Sequence, residues 1–152
     1  TEPAPRWTLP ITLAVTAGVF FLGFFALHVT TERLLALQAK EVPVQAVKVI
    51  RERQYPGPLF NDYNWGGYLI WQLGQPVTID GRAGLYGDAN INRSIATWAG
   101  GPQWASDPQL QSARLVIAPV DDALTQLLRL DSHFQLVYQD NVAAVFVRRA
   151  AQ

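Results

Sequence analysis

Two glycine-rich turns hold the side chains most able to do chemistry. Asp62 lies in the first turn, Asp80 and Asp88 lie at the two ends of the second, and Arg82 lies between them. Each turn follows a predicted strand, and ligands of parallel sheets bind at the carboxyl ends of strands. We therefore predict that the two turns lie side by side at one end of a sheet. The candidate substrate-binding residues are Asp62, Tyr63, Trp65, Asp80, Arg82, Tyr86 and Asp88.

Arg82 has two interpretations that the sequence leaves open. Its guanidinium has the fork geometry that binds a phosphate or a carboxylate through two parallel hydrogen bonds, which would make the turns a polar binding cleft. Alternatively, Arg82 forms an internal ion pair with a neighbouring carboxylate, such as Asp80 or Asp62, and only fixes the turns. Both interpretations predict that Arg82 reaches a carboxylate when no ligand is bound.

Composition and spacing exclude several classes of site. The chain of 152 residues has no cysteine, which excludes a disulfide framework, a zinc ribbon and a thiolate nucleophile. His28 and His133 are far apart, and no Ser/His/Asp set or His-x-x-x-His spacing can be assembled. The glycines Gly81, Gly84 and Gly87 fit neither a dinucleotide-binding pattern nor a P-loop. We therefore expect no metal and no cofactor in this chain.

The tryptophans are candidates for stacking on sugar rings, although each can also be a core residue. Trp71 lies in the apolar stretch YLIW, so we predict that it is buried in the core. Trp98 and Trp104 flank the sequence Gly100-Gly101-Pro102, and we predict a partly exposed surface there.

The longest apolar run of the chain lies near its N-terminus. No charged residue occurs between Arg6 and Glu32, and the run from Ile11 to Val29 has nineteen residues, which would span roughly 28 Å as a helix. Its apolar residues surround the helix, which disfavours an amphipathic helix lying on a membrane surface. A signal peptide is disfavoured, because its apolar core is shorter and is followed by a small-residue cleavage site, which this sequence lacks. A buried helix of a soluble domain is disfavoured because nineteen apolar residues is long for one. We predict a transmembrane helix over residues 8–31.

The following sequence alternates predicted helices and strands. Residues 32–55 are predicted to form a juxtamembrane helix and a second helix that begins at Pro43. Buried strands are predicted for PVTID at 76–80 and for RLVIAP at 114–119. Both runs lack the alternation of a half-exposed strand, so we expect them to be interior strands of one sheet.

The last part of the chain predicts a hairpin. Residues 134–140 and 142–148 alternate in polarity around a short turn, as antiparallel strands do. For residues 56–150 we therefore predict an α/β fold, a small layered domain with a mostly parallel sheet and a C-terminal antiparallel hairpin.

The stretch from Phe60 to Asp88 resembles part of a known family. Its segments FNDYNWGGYLIWQL and PVTIDGRAGLYGD resemble the C-terminal soluble region of bacterial polytopic membrane proteins, many of unknown function. Those proteins are similar to GT-C class glycosyltransferases, which use lipid-phosphate sugar donors. The resemblance covers residues 43–149 and includes a final Tyr-x-Asp hairpin at Tyr138 and Asp140. A looser likeness, of layout alone, is to the catalytic subunit of oligosaccharyltransferase, whose Trp-Trp-Asp-Tyr-Gly motif also follows the last membrane helix.

The resemblance implies an extracytoplasmic domain, periplasmic or at the cell exterior, that helps to bind or orient the substrate of a glycosyltransferase-like membrane protein. The catalytic and metal-binding carboxylates of such enzymes lie in loops between earlier membrane helices, so this chain is expected to lack them. The implied partners are membrane lipid, a lipid-linked sugar or other membrane-protein subunits. The balance of 12 basic and 12 acidic residues disfavours nucleic acid as a partner. The alternative is a non-catalytic, single-span subunit that scaffolds a membrane protein complex.

Overall fold

The computed structural model describes residues 8–27 and 30–150. The chain forms two compact units, Thr1–Gln38 and Ala39–Gln152. Each unit is described by itself below.

The first unit is dominated by one apolar helix. Helix α1 is Thr8–Leu27, and helix α2, Thr31–Glu41, begins after it. The large apolar side chains of α1 are exposed, Phe20 for example to 76%. Side chains of α1 are described for residues 9–25, and over the described residues no helix is both long enough and apolar enough to cross a membrane. Residues 28–29, which belong to the predicted membrane helix, lie outside the described residues.

The second unit alternates helices with short strands, in an order close to that predicted. The helices are α3 (Val44–Arg53), α4 (Gly66–Leu73), α5 (Gly87–Trp98), α6 (Pro108–Ser112) and α7 (Ala123–Leu130). The strands are β1 (Leu59–Asn61), β2 (Leu115–Pro119), β3 (Phe134–Gln139) and β4 (Ala143–Arg148). Short 3₁₀ helices lie at Tyr63–Trp65, Ala83–Leu85 and Trp104–Ser106.

The strands of residues 30–150 form one mixed sheet in the order β1-β2-β4-β3. β1 runs parallel to β2, whereas β4 is antiparallel to both β2 and β3. The α/β class and the C-terminal hairpin are therefore confirmed. The expectation of a mostly parallel sheet is wrong, because the hairpin places β4 directly beside β2 and the predicted strand at 76–80 is not part of the sheet.

Segment 76–80 does not form a strand and bends at Thr78, which corrects the prediction made for PVTID. Side chains take the place of ladder hydrogen bonds along β1. The Asn61 amide donates to the Ile79 carbonyl at 2.8 Å and its oxygen accepts from the Thr78 N–H at 2.9 Å. The Thr78 hydroxyl donates to the Leu59 carbonyl at 2.5 Å. The segment is thereby held against the outer edge of the sheet, although it is buried at Ile79.

The sheet lies between two layers of helices, because successive side chains of a strand point to opposite faces. One face packs Phe60, Val116 and Phe146 against α5, α6 and α7. The other face packs Leu115 and Val145, with their neighbours, against α3 and α4. This three-layer arrangement buries the core and leaves both turns at the start of α4 and α5 near the surface.

Candidate functional site

The two glycine-rich turns lie against each other, although the segment before the second turn is not a strand. A Cβ built on Gly66 would lie 2.6 Å from the Cα of Asp80 and closer still to the Ile79 carbonyl. Only glycine permits this backbone approach without displacement of one turn. Trp65, one of the candidate binding residues, is buried beside this contact, and its indole N–H donates to the Glu41 carbonyl at 3.0 Å. Trp65 therefore holds the first turn in place and is not free to bind substrate.

Arg82 forms a bidentate ion pair with Asp80. Its Nε lies 3.0 Å from Asp80 Oδ1 and its Nη2 lies 2.6 Å from Asp80 Oδ2. The Asp80 side chain is 3% exposed, whereas that of Arg82 is 64% exposed. Hydrogen bonding from Arg82 lowers the pKa of Asp80 to about 2, against the opposing effect of burial, and Tyr86 lowers it further. The predicted carboxylate partner of Arg82 is thus Asp80, and the geometry is that of an internal pair that fixes the second turn.

Replacing Arg82 by alanine should raise the pKa of Asp80, because the guanidinium is the main cause of the lowered value. The ionised carboxylate stabilises the native chain at all pH values above about 4, the ordinary range for aspartate. In the wild type this contribution is lost as pH falls from that range through about 2. In Arg82→Ala the loss should begin at a higher pH. Carbon-13 NMR titration of the Asp80 carboxyl measures the pKa, and urea unfolding at several pH values measures the stability.

The matched control for this experiment is Arg129→Ala, which removes another exposed arginine at the end of α7. That variant should leave the Asp80 titration unchanged. If Asp80 titrates identically in Arg82→Ala and in the wild type, the ion pair does not set its pKa.

A cleft of about 310 Å³ lies between the first turn and α5. We call it the β1–α5 cleft, and its lining residues are Asp62, Tyr63, Asn64, Ile79, Ile91, Ser94, Ile95 and Trp98. Asp62 accepts a hydrogen bond from the Asn64 N–H at 2.9 Å and so caps the short helix that carries Tyr63. The lining is mostly apolar, with a few polar groups contributed by the first turn and by Ser94 of α5. Small-molecule sites in proteins have this composition.

Negative charge gathers next to the β1–α5 cleft. Asp62 follows β1 and Asp122 follows β2, so the parallel pair of strands brings these two acids to the same end of the sheet. Burial raises the pKa of Asp122, and the nearby charges of Asp62 and Asp121 raise it further. The end of the sheet therefore favours neutral or cationic groups over anions.

The seven candidate residues thus separate into distinct places. Asp62 and Tyr63 line the β1–α5 cleft. Asp80 and Arg82 form the ion pair, with Tyr86 beside it, and burial together with Asp80 raises the pKa of Tyr86. Asp88 is exposed in the first turn of α5 and does not line the cleft.

Two of the three tryptophan predictions are wrong. Trp71 is 74% exposed rather than in the core, because residues two apart on a helix point to opposite sides and Leu69 is the buried one. Trp98 is buried and stacks on Phe60 with ring centroids 5.3 Å apart. Its indole Nε1 is buried without a hydrogen-bond partner among the described residues. Trp104 is partly buried, as predicted, and packs against the same side of the core.

Asp107 is a buried carboxylate that the sequence predictions missed. Its side chain is 1% exposed and accepts hydrogen bonds from the Thr97 hydroxyl at 2.9 Å and from Arg93 Nε at 3.2 Å. It also accepts from the N–H groups of Gln109 and Leu110 at the start of α6. The dipeptide Asp107-Pro108 is a helix N-cap followed by a first-turn proline, and that signal could have located it.

Comparison with known proteins adds no assignment to this geometry. No protein-family model, curated protein or solved structure matches the chain. Within the described residues, no group of three or more His, Cys, Asp or Glu side chains is placed to hold a metal ion. His133 lies 3.0 Å from Asp131, and His28 lies outside the described residues.

Proposed function

We propose that this chain is a membrane-tethered, extracytoplasmic part of a glycosyltransferase-like membrane protein. In this proposal α1 and its flanking residues anchor the chain in the bilayer. The second unit binds and orients a saccharide substrate in the β1–α5 cleft. The chemical step is carried out elsewhere, so the chain itself contributes binding and not catalysis.

The exposed surface of α1 supports the anchoring part of the proposal. Leu22 and Phe24 are exposed to 71% and 77%, and no atom lies within 4 Å of a Cβ built on Gly18 or Gly23. The apolar run in the sequence continues beyond this helix to Val29. So much exposed apolar surface is unfavourable in water and favourable in lipid.

The β1–α5 cleft is the observation that carries the binding part. Tyr63 and Trp98 place aromatic rings in its lining, and Asp62 and Asn64 add a carboxylate and an amide beside them. A sugar ring has an apolar face that packs on aromatic rings and a rim of hydroxyl groups that hydrogen-bond to such polar groups. The volume of about 310 Å³ lies in the range of small-ligand pockets.

Saccharide binding by the full chain in detergent micelles tests this proposal. Saturation-transfer NMR with methyl glycosides of glucose, mannose, galactose and N-acetylglucosamine should detect binding of at least one. Tyr63→Ala should weaken that binding about tenfold, because it removes an aromatic ring from the lining. Asp62→Asn keeps the helix cap, since asparagine caps as well as aspartate, and should weaken binding by a smaller factor.

Leu130→Ala is the control, because Leu130 is 87% exposed on α7 and does not line the cleft. It should bind like the wild type. Absence of transfer to every glycoside, or equal transfer in Tyr63→Ala and the wild type, would contradict saccharide binding in the β1–α5 cleft. The scaffolding alternative would then be favoured.

A further inference from the structure

Helix α4 presents an aromatic surface that is not part of the core. Leu69 is buried, whereas Trp71 is 74% exposed on the opposite side of the helix. The ring of Tyr68, one turn earlier, packs edge-on to that of Trp71 with centroids 6.5 Å apart. Gly67 is exposed on the same side, and no atom lies within 4 Å of a Cβ built there. Within the described residues this surface has no covering element.

One arginine, Arg51, lies beside α4 near Tyr68 and Gln72. Arg51 of α3 donates hydrogen bonds to the Gln72 carbonyl and, at 3.0 Å, to Gln72 Oε1. The positive charge of Arg51 also acts on Tyr68. Burial raises the pKa of Tyr68, and the charge of Arg51 partly offsets that rise. These hydrogen-bond acceptors are neutral, so the positive charge of Arg51 is kept at the exposed surface.

A second arginine, Arg82, lies beside the end of α4. Arg82 lines a shallow cleft together with Ile70 of α4 and with Gly74, the residue that follows α4. Its pair with Asp80 uses Nε and Nη2. The guanidinium also interacts with Tyr86, and the Arg82 side chain is 64% exposed, so part of the guanidinium faces solvent.

An exposed indole on a helix with two arginines beside it is suited to contact with the lipid headgroup layer. Tryptophan is enriched where hydrocarbon meets headgroups, because its ring is apolar and its N–H is polar. Arginine binds phosphate oxygens through its planar fork of donors. A protein partner that buried Trp71 would have to desolvate or pair both arginines, whereas a lipid surface leaves them among phosphates and water.

We propose that the Trp71 face, defined as Arg51, Tyr68, Trp71 and Arg82, contacts the anionic headgroups of the bilayer in which α1 is anchored. The inference rests on the anchoring part of the proposed function. Trp71 inserts at the level of the headgroups, and the two arginines bind lipid phosphates. Such contact limits the orientations that the second unit adopts at the membrane.

A single nitroxide label tests the Trp71 face. The chain has no cysteine, so Gly67→Cys carries the only thiol, one helical turn from Trp71 and without removing it. The full chain is reconstituted in vesicles of phosphatidylcholine with phosphatidylglycerol, and accessibility to an aqueous nickel chelate is measured by power-saturation EPR. The label at 67 should be several-fold less accessible than a control label introduced as Leu130→Cys. The difference should shrink in phosphatidylcholine vesicles and on adding Arg51→Gln.

Flotation of the same vesicles separates the two proposals. Protein that does not float with the vesicles contradicts the anchoring, and with it the contact. Protein that floats while its label at 67 is as accessible as the label at 130 overturns the contact and leaves the anchoring intact. A label at 67 that is shielded equally in micelles and in both kinds of vesicle indicates burial against protein, which also overturns the lipid contact.

Discussion

Gly66→Ala should lower the free energy of unfolding by about 3 kcal/mol, the upper part of the range for overpacking a tight contact. The added methyl group would lie 2.6 Å from the Cα and the Cβ of Asp80 and closer still to the Ile79 carbonyl. Two of these three atoms belong to the backbone, so no flexible side chain can simply move away. The two turns must separate, or α4 must shift. Urea unfolding of the full chain, followed by far-UV circular dichroism, measures the loss.

Gly67→Ala is the matched control, because Gly67 is the next residue of the same helix and a Cβ there meets no atom within 4 Å. Both substitutions add helix propensity, and at Gly67 this should stabilise the chain by up to about 1 kcal/mol. Equal destabilisation by both variants would mean that the contact between the turns is not the cause.

Asp107→Ala should be similarly severe, with a loss of about 3 kcal/mol. The substitution leaves the Thr97 hydroxyl and the Arg93 guanidinium without their shared acceptor. It also uncaps α6, whose first N–H groups bond to Asp107 Oδ1. Because the carboxylate is 1% exposed, water does not replace it without a rearrangement. Thermal and urea unfolding of the full chain measure the change.

Two further variants show how much of the stability lost in Asp107→Ala is due to the charge and to the helix cap. Asp107→Asn keeps a capping oxygen and removes the charge, so its stability should lie between the wild type and Asp107→Ala. Asp88→Ala removes an exposed acid and should change stability by less than about 0.5 kcal/mol. If Asp107→Ala is as mild as Asp88→Ala, the hydrogen bonds around Asp107 contribute little to the folded state.

The elements with a clear periodicity could be predicted from the sequence. The continuous apolar run RLVIAP became the interior strand β2, flanked by β1 and β4. The alternating segments around Asp140 became the hairpin of β3 and β4. Asp140 closes its turn by accepting hydrogen bonds from the N–H groups of Val142 and Ala143 and from the Tyr138 hydroxyl. In these places local pattern and tertiary packing agree.

The run PVTID shows where periodicity is insufficient. A buried segment shows the same continuous run of apolar residues whether its backbone groups hydrogen-bond to a neighbouring strand or to side chains. Here Asn61 and Thr78 supply the hydrogen bonds, and nothing in the spacing of the run distinguishes that arrangement from a ladder.

The site could be predicted only in part for a related reason. The predicted contact between the two turns rests on a strand before each of them, and the contact forms although segment 76–80 is not a strand. The predicted pairing of Arg82 with a carboxylate also forms. Which acid Arg82 would bind depends on side-chain rotamers, and the nearest one, Asp80, is its partner. The β1–α5 cleft needed Ile91 and Trp98 from α5, and only the packing of that helix shows that they approach Tyr63.

β1 is the outermost strand on its side of the sheet, the position at which a second copy of a chain could add a strand. The Thr78 hydroxyl donates a hydrogen bond to the Leu59 carbonyl. The Asn61 side-chain amide accepts from the Thr78 N–H and donates to the Ile79 carbonyl. Another molecule would have to displace this segment before it could pair with β1. The segment begins with Pro76, which has no N–H to offer to a further strand. Two polar side chains therefore protect this edge against intermolecular sheet growth and aggregation.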